Sequence, residues 1–563
     1  MTRSNMNTVL NILDIALSVI FVFFAIGYCI FCHELGHFIA AKWRGLHVDA
    51  FALGFKPFWR KKYKGVEYRL GYLPFGGYCD IPQVDATSSS PKAADGTLLE
   101  RAKPIDRIIT AVAGPLFNLL SGMLIACIVW ICGMPQDTPK MREITVLEVP
   151  EKSPEYVSGL REGDRIVKLN GKPFFDTWAG FTKKLLFTVG DVTLDVIKAD
   201  GSKAVITYTP VENPNAPGSL KSEKIAYPFF KPLIPIQLMV KENGVAGKAG
   251  LRTGDIVLAI ADIPITNPDF YQLTLDFAGT QELSLKVRRG NDILMFKVTP
   301  HEIAGLDENF TRYMAGIGMS SDDKSNKIES VIPFLPAAKL GVREGDLAIA
   351  IDNVKFSGVK NFLSIIREKK DKPFKLTVER DGKLITFDIT CRKVIPHTID
   401  ASLLMIDHPT PLAQFIDTCD MSYKSLRGLI VSAGNKLGLT KKKSSIKATH
   451  MSGPLGMGTV LFNCVHKGSL VGGIYFTVVI SFALMIFNLL PLPVLDGGHI
   501  MFGLIELIIR RPLPDIVIKV LSNIFVVLLI GLMLFVTFSD SRRLFRQVFP
   551  TAQESVENAQ KNP

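Results

Sequence analysis

The chain has 563 residues, with 65 Lys and Arg against 53 Asp and Glu for a formal charge of +12, and 47% hydrophobic against 21% charged residues. That length exceeds a single domain. A mean hydropathy of +0.25 with so few charges excludes a disordered chain or one built to bind nucleic acid.

In chain order, four charge-free apolar runs cover 15–32, 108–134, 470–495 and 520–538. About 20 helical residues cross a hydrocarbon core of ~30 Å, so the pattern predicts a membrane protein with four transmembrane helices. The first run is read as an uncleaved anchor, because apolar residues continue to Ala41 and no small-residue cleavage site follows. Residues 42–107 carry 12 Lys and Arg against 7 Asp and Glu, which places them in the cytoplasm by the positive-inside rule. Both chain ends and residues 135–469 are then outside. Arg510 and Arg511 fall in the second cytoplasmic loop, whereas Arg542, Arg543 and Arg546 run against the rule. Of the eight cysteines, only Cys391, Cys419 and Cys464 lie in the expected exterior, so no disulfide framework is indicated.

The first run leads into His33-Glu34-Leu35-Gly36-His37. Residues four apart share a helix face, so both imidazoles can reach one metal ion with a carboxylate beside them. Ionisable groups at the margin of the hydrocarbon are costly unless they serve a purpose. The overlapping Cys29-Ile-Phe-Cys32-His33 fits a haem-attachment pattern, but attachment needs an exposed loop, and this is an apolar helix. The cytoplasmic stretch 48–81 alternates in Val66-Glu-Tyr-Arg-Leu70 before Gly76-Gly77-Tyr78, which reads as a β-hairpin.

The outer region contains Gly159-Leu-Arg-Glu-Gly-Asp164, Gly250-Leu-Arg-Thr-Gly-Asp255 and Gly341-Val-Arg-Glu-Gly-Asp346, spaced by 91 residues. That is a threefold repeat. A strand follows each Gly-Asp turn, and a helix and further strands come later in each copy. The copies resemble PDZ-like domains, which hold an extended peptide as an added strand; here they are either peptide binders or steric spacers. Residues 413–439, ahead of Lys441-Lys-Lys443, form either an interfacial helix on the outer membrane surface or a solvated one.

The third run ends Asn488-Leu-Leu-Pro491-Leu-Pro493-Val-Leu-Asp496-Gly-Gly-His499. Its prolines should stop the helix just before Asp496, and the topology sets Asp496 at the same depth as the histidine pair. Two histidines need a third ligand to make a catalytic zinc site, and Asp496 is the candidate, with His499 a weaker one.

On these residues the chain resembles the site-2 protease family of intramembrane zinc metalloproteases, in its bacterial PDZ-bearing, regulator of sigma-E protease-like branch. The resemblance implies a zinc ion on His33, His37 and Asp496, with Glu34 activating water. Gly114-Pro115-Leu-Phe-Asn118 and Ser452-Gly453-Pro454 are similar to further family elements. The stretch 48–81 is similar to a re-entrant β element; the alternative is a soluble hairpin. Asn488, Pro491, Gly76, Gly77 and Asn118 become candidate substrate-binding residues, although Asn488 can equally make an interhelical hydrogen bond.

The expected fold is thus a four-helix transmembrane metalloprotease core with a re-entrant β element and three extracytoplasmic PDZ-like α+β domains. The expected organisation is helices 1 and 2 in 1–134 with the β element in 42–107, PDZ-like units at 140–212, 230–300 and 314–394, amphipathic linker helices in 411–463, and helices 3 and 4 in 464–563. The expected function is cleavage of single-span membrane proteins, such as an anti-sigma factor or a signal-peptide remnant, in the inner membrane. Expected partners are that substrate, a peptide or outer substrate segment at the PDZ-like units, and the lipid bilayer, without nucleic acid. The alternative is a catalytically inactive membrane scaffold that binds protein ends through its PDZ-like array.

Overall fold

The computed structural model describes residues 3–548 apart from 86–89, 137, 214–215, 217–224, 266–267, 304–311, 320–325, 333–334, 357, 404, 441–443 and 447–449. The basic run Lys441 to Lys443 therefore lies outside the described residues.

All four apolar runs are helices long enough to cross a bilayer, over Ile12–Trp43, Pro104–Cys132, Leu470–Asn488 and Asp515–Phe545. They belong to α1 (Arg3–Trp43) and α2 (Pro104–Cys132) before the outer region. After it come α3 (Pro411–Lys436), α4 (Pro454–Asn463), α5 (Leu470–Asn488), α6 (Asp496–Ile509) and α7 (Asp515–Val548). The third run stops being helical at Asn488, earlier than expected, and a separate helix starts at Asp496. Pro491 and Pro493 lack the N–H that a continuing helix must donate.

The α2 helix is the hub, packed against α1, α5 and α6. Missing side chains permit this approach, as in many membrane helix pairs. A Cβ on Gly36 of α1 would stand 2.3 Å from the Ala113 carbonyl oxygen of α2, and one on Gly503 of α6 would stand 2.7 Å from the Ile108 side chain.

Between α1 and α2 run two long strands, β1 (Ala50–Tyr63) and β2 (Val66–Asp80). They fold on themselves: 50–53 pairs on one side with 77–80 and on the other with 67–70, and 67–70 also pairs with 59–62 in the outer hairpin. The buried residues Ala41, Val48, Phe51 and Val66 join this element to the end of α1.

The segment between α2 and α3 holds three repeat units, each with its own apolar core. Their equivalent strands are Arg165–Leu169, Ile256–Ile260 and Leu347–Ile351. The repeated Gly-Asp turn has a physical reason in every copy. Gly163, Gly254 and Gly345 have φ of +82°, +100° and +93°, a region that disfavours side chains. The following Asp164, Asp255 and Asp346 accept the backbone N–H of Arg161, Arg252 and Arg343 at 2.8, 2.9 and 2.9 Å. A basic residue 34 positions later, Lys198, Arg289 or Arg380, closes onto the same carboxylate and onto the carbonyl of Gly159, Gly250 or Gly341.

The repeat boundaries are less simple than the sequence implied. Phe230, expected in the second unit, is buried in the first core. The second core includes Ile399, from beyond the third unit, and Ala401–Ser402 pairs with Met239–Val240. The third unit is therefore nested within the second.

The chain then returns to the membrane core, where Met405–Asp407 pairs with Met134–Gln136 at the end of α2. The helix α3, expected as either an interfacial or a solvated helix, docks its first turns on the transmembrane helices and exposes Leu412, Ile416 and Ile430. Gln414 is buried and its Nε2 donates to the Ala126 carbonyl of α2 at 3.1 Å, and Phe415 packs edge-on against Phe482 of α5.

The turn chemistry can be tested in the third copy. The Arg380 guanidinium holds the Asp346 carboxyl below the ordinary carboxylate range. The pair's contribution is therefore complete above an unfolded carboxylate pKa of about 3.9 and is lost as pH falls through the lower folded value. Charge-assisted hydrogen bonds are worth about 1.5–3 kcal/mol, so Asp346→Asn is expected to speed hydrogen exchange in Leu347–Ile351 by about 10–100-fold at neutral pH. The gap from the parent chain should begin to narrow as pH drops below about 3.9 and close as pH passes through the lower folded value.

Candidate metal centre

His33 and His37 lie one turn apart on α1, and Asp496 is the first residue of α6. The carboxylate reaches this position because Gly497 and Gly498 let the start of α6 fold onto the preceding loop. Added Cβ atoms would lie 2.1 Å from the Leu490 carbonyl oxygen and 2.3 Å from that of Leu492.

The three donors form a tight triangle. His33 Nε2 is 3.2 Å from His37 Nε2 and 3.2 Å from Asp496 Oδ2, and His37 Nε2 is 3.5 Å from Asp496 Oδ1. A tetrahedral zinc ion with bonds of about 2.0–2.1 Å separates its donors by about 3.3–3.4 Å, so each of these separations is close to one edge of such a site, the two contacts to Asp496 ending on different carboxylate oxygens. Among the described residues, this is the group of His, Cys, Asp or Glu side chains able to hold an ion.

The opposite sides of the rings support the same reading. His37 Nδ1 lies 2.7 Å from the Thr110 carbonyl oxygen; that contact requires Nδ1–H and leaves the Nε2 lone pair for a metal. Pro115, inside α2, has no N–H for the Ala111 carbonyl one turn back, next in sequence to the Thr110 carbonyl that His37 meets. His33 Nδ1 lies 3.3 Å from the Asn118 amide nitrogen, while the buried Asn118 Oδ1 has no partner. Turning the amide over lets Oδ1 accept Nδ1–H and satisfies both groups. Asp496 Oδ2 is also buried with no hydrogen-bond donor on it, a deficit that a cation removes. Two neutral imidazoles and one carboxylate form a donor set suited to zinc.

Glu34 stays outside the triangle. Its Cγ lies 3.2 Å from the place a Cβ would occupy on Gly77. The β element thus lies directly against the one carboxylate free to handle protons. A side chain at Gly77 would collide with this contact.

The other expected site residues divide. Gly76 adjoins this contact with a φ of +115°. Asn118, expected among the substrate-binding residues, is instead 0% exposed and turned to His33. Asn488 ends α5, half-buried, and its amide has no partner among the described residues. Pro491 is exposed in the loop leading to Asp496, and His499 is not part of the donor triangle. Cys29 and Cys32 are buried within α1, where no exposed loop offers them for haem attachment. Sequence reasoning missed the Thr110 carbonyl, because a backbone acceptor leaves no residue-type signal. The proline five residues later was the one available hint.

A model of peptidase family M50 matches residues 21–532. The regulator of sigma-E protease of Escherichia coli K12 is 25% identical over 528 residues, covering 92% of this chain and 97% of its own. Its counterpart from Salmonella typhimurium 14028s is 26% identical over 532 residues, with the same coverage. A protein of Neisseria meningitidis serogroup A that carries the name zinc metalloprotease is 25% identical over 546 residues, covering 92% of this chain and 98% of its own.

Gly114 supplies a direct test. A Cβ there would stand 2.3 Å from His37 Nε2 and 2.9 Å from His33 Cε1, inside the space the donors need. Alanine favours a helix over glycine by about 1 kcal/mol, so Gly114→Ala is expected to keep its helical circular dichroism. Bound divalent metal per purified chain, read by elemental analysis, should fall well below one.

Proposed function

The chain belongs to peptidase family M50, the site-2 proteases, and on that premise we propose that it cuts single-span membrane proteins within the bilayer, using zinc on His33, His37 and Asp496 and a proton carried by Glu34. It is a multi-pass membrane protein of the zinc metalloendopeptidase class. The observation that carries the finer reading is the donor triangle of 3.2, 3.2 and 3.5 Å, with Glu34 beside it but outside it.

A zinc ion held by these residues supplies a polarised water and an electrophile for the scissile carbonyl. Hydrolysis must also move a proton from that water to the departing amine. Glu34 is placed for both halves of the transfer, accepting the proton first and returning it to nitrogen.

A helical substrate hides its carbonyls in hydrogen bonds, so cleavage requires an unwound segment. Residues 77–80 pair with 50–53 along one edge, and their other edge pairs with no strand among the described residues. Strand addition at that edge would open the substrate backbone next to Glu34. Asn488, with its unpaired amide, and Pro491 contribute from the opposing loop. The re-entrant placement of β1 and β2 follows from the same reasoning, since polar backbone at membrane depth must line a protein cavity.

We assign the three repeat units to the outer face of the inner membrane as PDZ-like domains that select substrates by their outer portion. The basic character of 42–107 supports that orientation.

The test uses purified full-length protein in detergent with a single-span substrate. Glu34→Gln is expected to lower the cleavage rate by about 10²–10⁴-fold while zinc content stays near one per chain, because Glu34 is not a ligand. A zinc chelator should stop the parent enzyme as well. Wild-type cleavage by Glu34→Gln would remove Glu34 from the chemistry.

A further inference from the structure

We propose that Asp106 and Arg107, adjacent in the first turn of α2, are positioning residues that set the two ligand-bearing helices against each other and so fix the geometry of the metal site. This inference rests on the zinc endopeptidase reading above.

The ligands come from α1 and α6, while α2 stands between these helices and contributes no ligand. Neighbouring residues on a helix point about 100° apart, and here they reach different partners. Asp106 turns to the end of α1, where its Oδ1 accepts from Arg44 Nε at 2.7 Å and Arg44 Nη2 at 2.6 Å. Arg107 turns to α6, where its Nη2 donates to Glu506 Oε2. Arg101 Nη2 donates to the other Glu506 oxygen at 3.1 Å, and the Leu513 backbone N–H reaches that oxygen at 3.2 Å. Glu506 therefore ties α6, the start of α2 and the loop into α7 together.

The burial of this cluster needs an explanation. Arg107 is 2% exposed and Glu506 4%. Taking both charges out of water is so costly that an apolar pair of similar volume often holds a fold equally well. Stability alone does not account for the choice. A guanidinium paired with a carboxylate differs from an apolar contact in being directional, so it resists rotation and sliding of α6. Gly503, one turn before Glu506, lets that face of α6 sit against Ile108. Asp496 opens the same helix, about 15 Å from Glu506 along the axis. A slip at the clamp moves Asp496 relative to His33 and His37.

The test compares full-length protein with the apolar double variant Arg107→Met/Glu506→Met and with Asp106→Asn. Thermal melting, zinc affinity by chelator competition and the visible spectrum of the cobalt-substituted protein are measured on each. The double variant is expected to stay folded and melt a little below the wild-type temperature, because Arg101 and the Leu513 N–H lose the Glu506 carboxylate. Zinc binding should weaken by about 10–100-fold, the loss typical of removing outer support from a metal site, with an altered cobalt spectrum. Asp106→Asn should weaken zinc binding in the same direction. A folded double variant with wild-type zinc affinity and cobalt spectrum overturns the proposal. Should the double variant not fold, unchanged affinity in Asp106→Asn overturns it. His33→Ala separates the two readings: if it binds zinc as well as the parent chain, the metal-site reading fails and the clamp falls with it. If zinc is lost in His33→Ala but untouched in the clamp variants, only the clamp is wrong.

Discussion

Two imidazoles and a carboxylate from opposite ends of the chain stand within 3.2–3.5 Å of one another, and the membrane half of the protein is organised around that constraint. Polar groups buried at membrane depth cost free energy unless they are paired. A shared divalent cation, held as proposed, would convert that cost into a reason for α1 and α6 to meet. The start of a helix also favours a carboxylate, and Asp496 occupies the first turn of α6. Each ring's far nitrogen is directed at a group on α2, so rotation of either imidazole is opposed from the side away from the ion.

The α2 helix acts as a template, and its residues divide the work by chemistry. Close approach is left to missing side chains, with Gly114 clearing room for both rings and Gly36 of α1 admitting the Ala113 carbonyl. Orientation is left to polar contacts, from Asp106 and Arg107 at one end through Thr110 to Asn118. Glycine contacts tolerate rotation, whereas charge-assisted hydrogen bonds do not. The two devices therefore serve different needs: one sets how near the helices come, and the other sets how they face.

Much of this was legible in the sequence because the controlling patterns are periodic. Four charge-free runs announce four helices, the i, i+4 histidines announce a shared face, and 91-residue spacing announces three outer units. What stayed hidden depends on pairing at a distance. Nothing local shows that Lys198, Arg289 and Arg380 close the Gly-Asp turns, although their common spacing of 34 residues was available to be noticed. The burial of Ile399 in the second core was also out of reach, because a strand supplied from beyond another repeat has no adjacent signal. Asn118 shows a different failure: its place in a motif was readable, but which neighbour its amide faces is settled only by helix packing. Asp496 was found, but not the helix it begins, because two prolines just upstream read as a terminus when they are also an entry.

The outer units join the membrane core at the far end of α2 from the metal site. Met405–Asp407 pairs with Met134–Gln136, Lys140 meets Asp407 at 2.8 Å, and Gln414 holds the Ala126 carbonyl. From Ala126 back to Gly114, α2 covers about 18 Å at 1.5 Å per residue. A substrate span gripped outside covers that distance with about 12 residues as a helix but with about five or six when extended at ~3.3 Å each. An outer grip therefore cannot by itself select a scissile bond, since unwinding a few residues changes which carbonyl reaches the ion. Selection must fall to an element that fixes register beside Glu34. On the proposed strand addition, the 77–80 edge would meet that need, because main-chain hydrogen bonds hold an added strand in steps of one residue pair. On the proposed function, the repeat units would admit a substrate and this edge would set where it is cut.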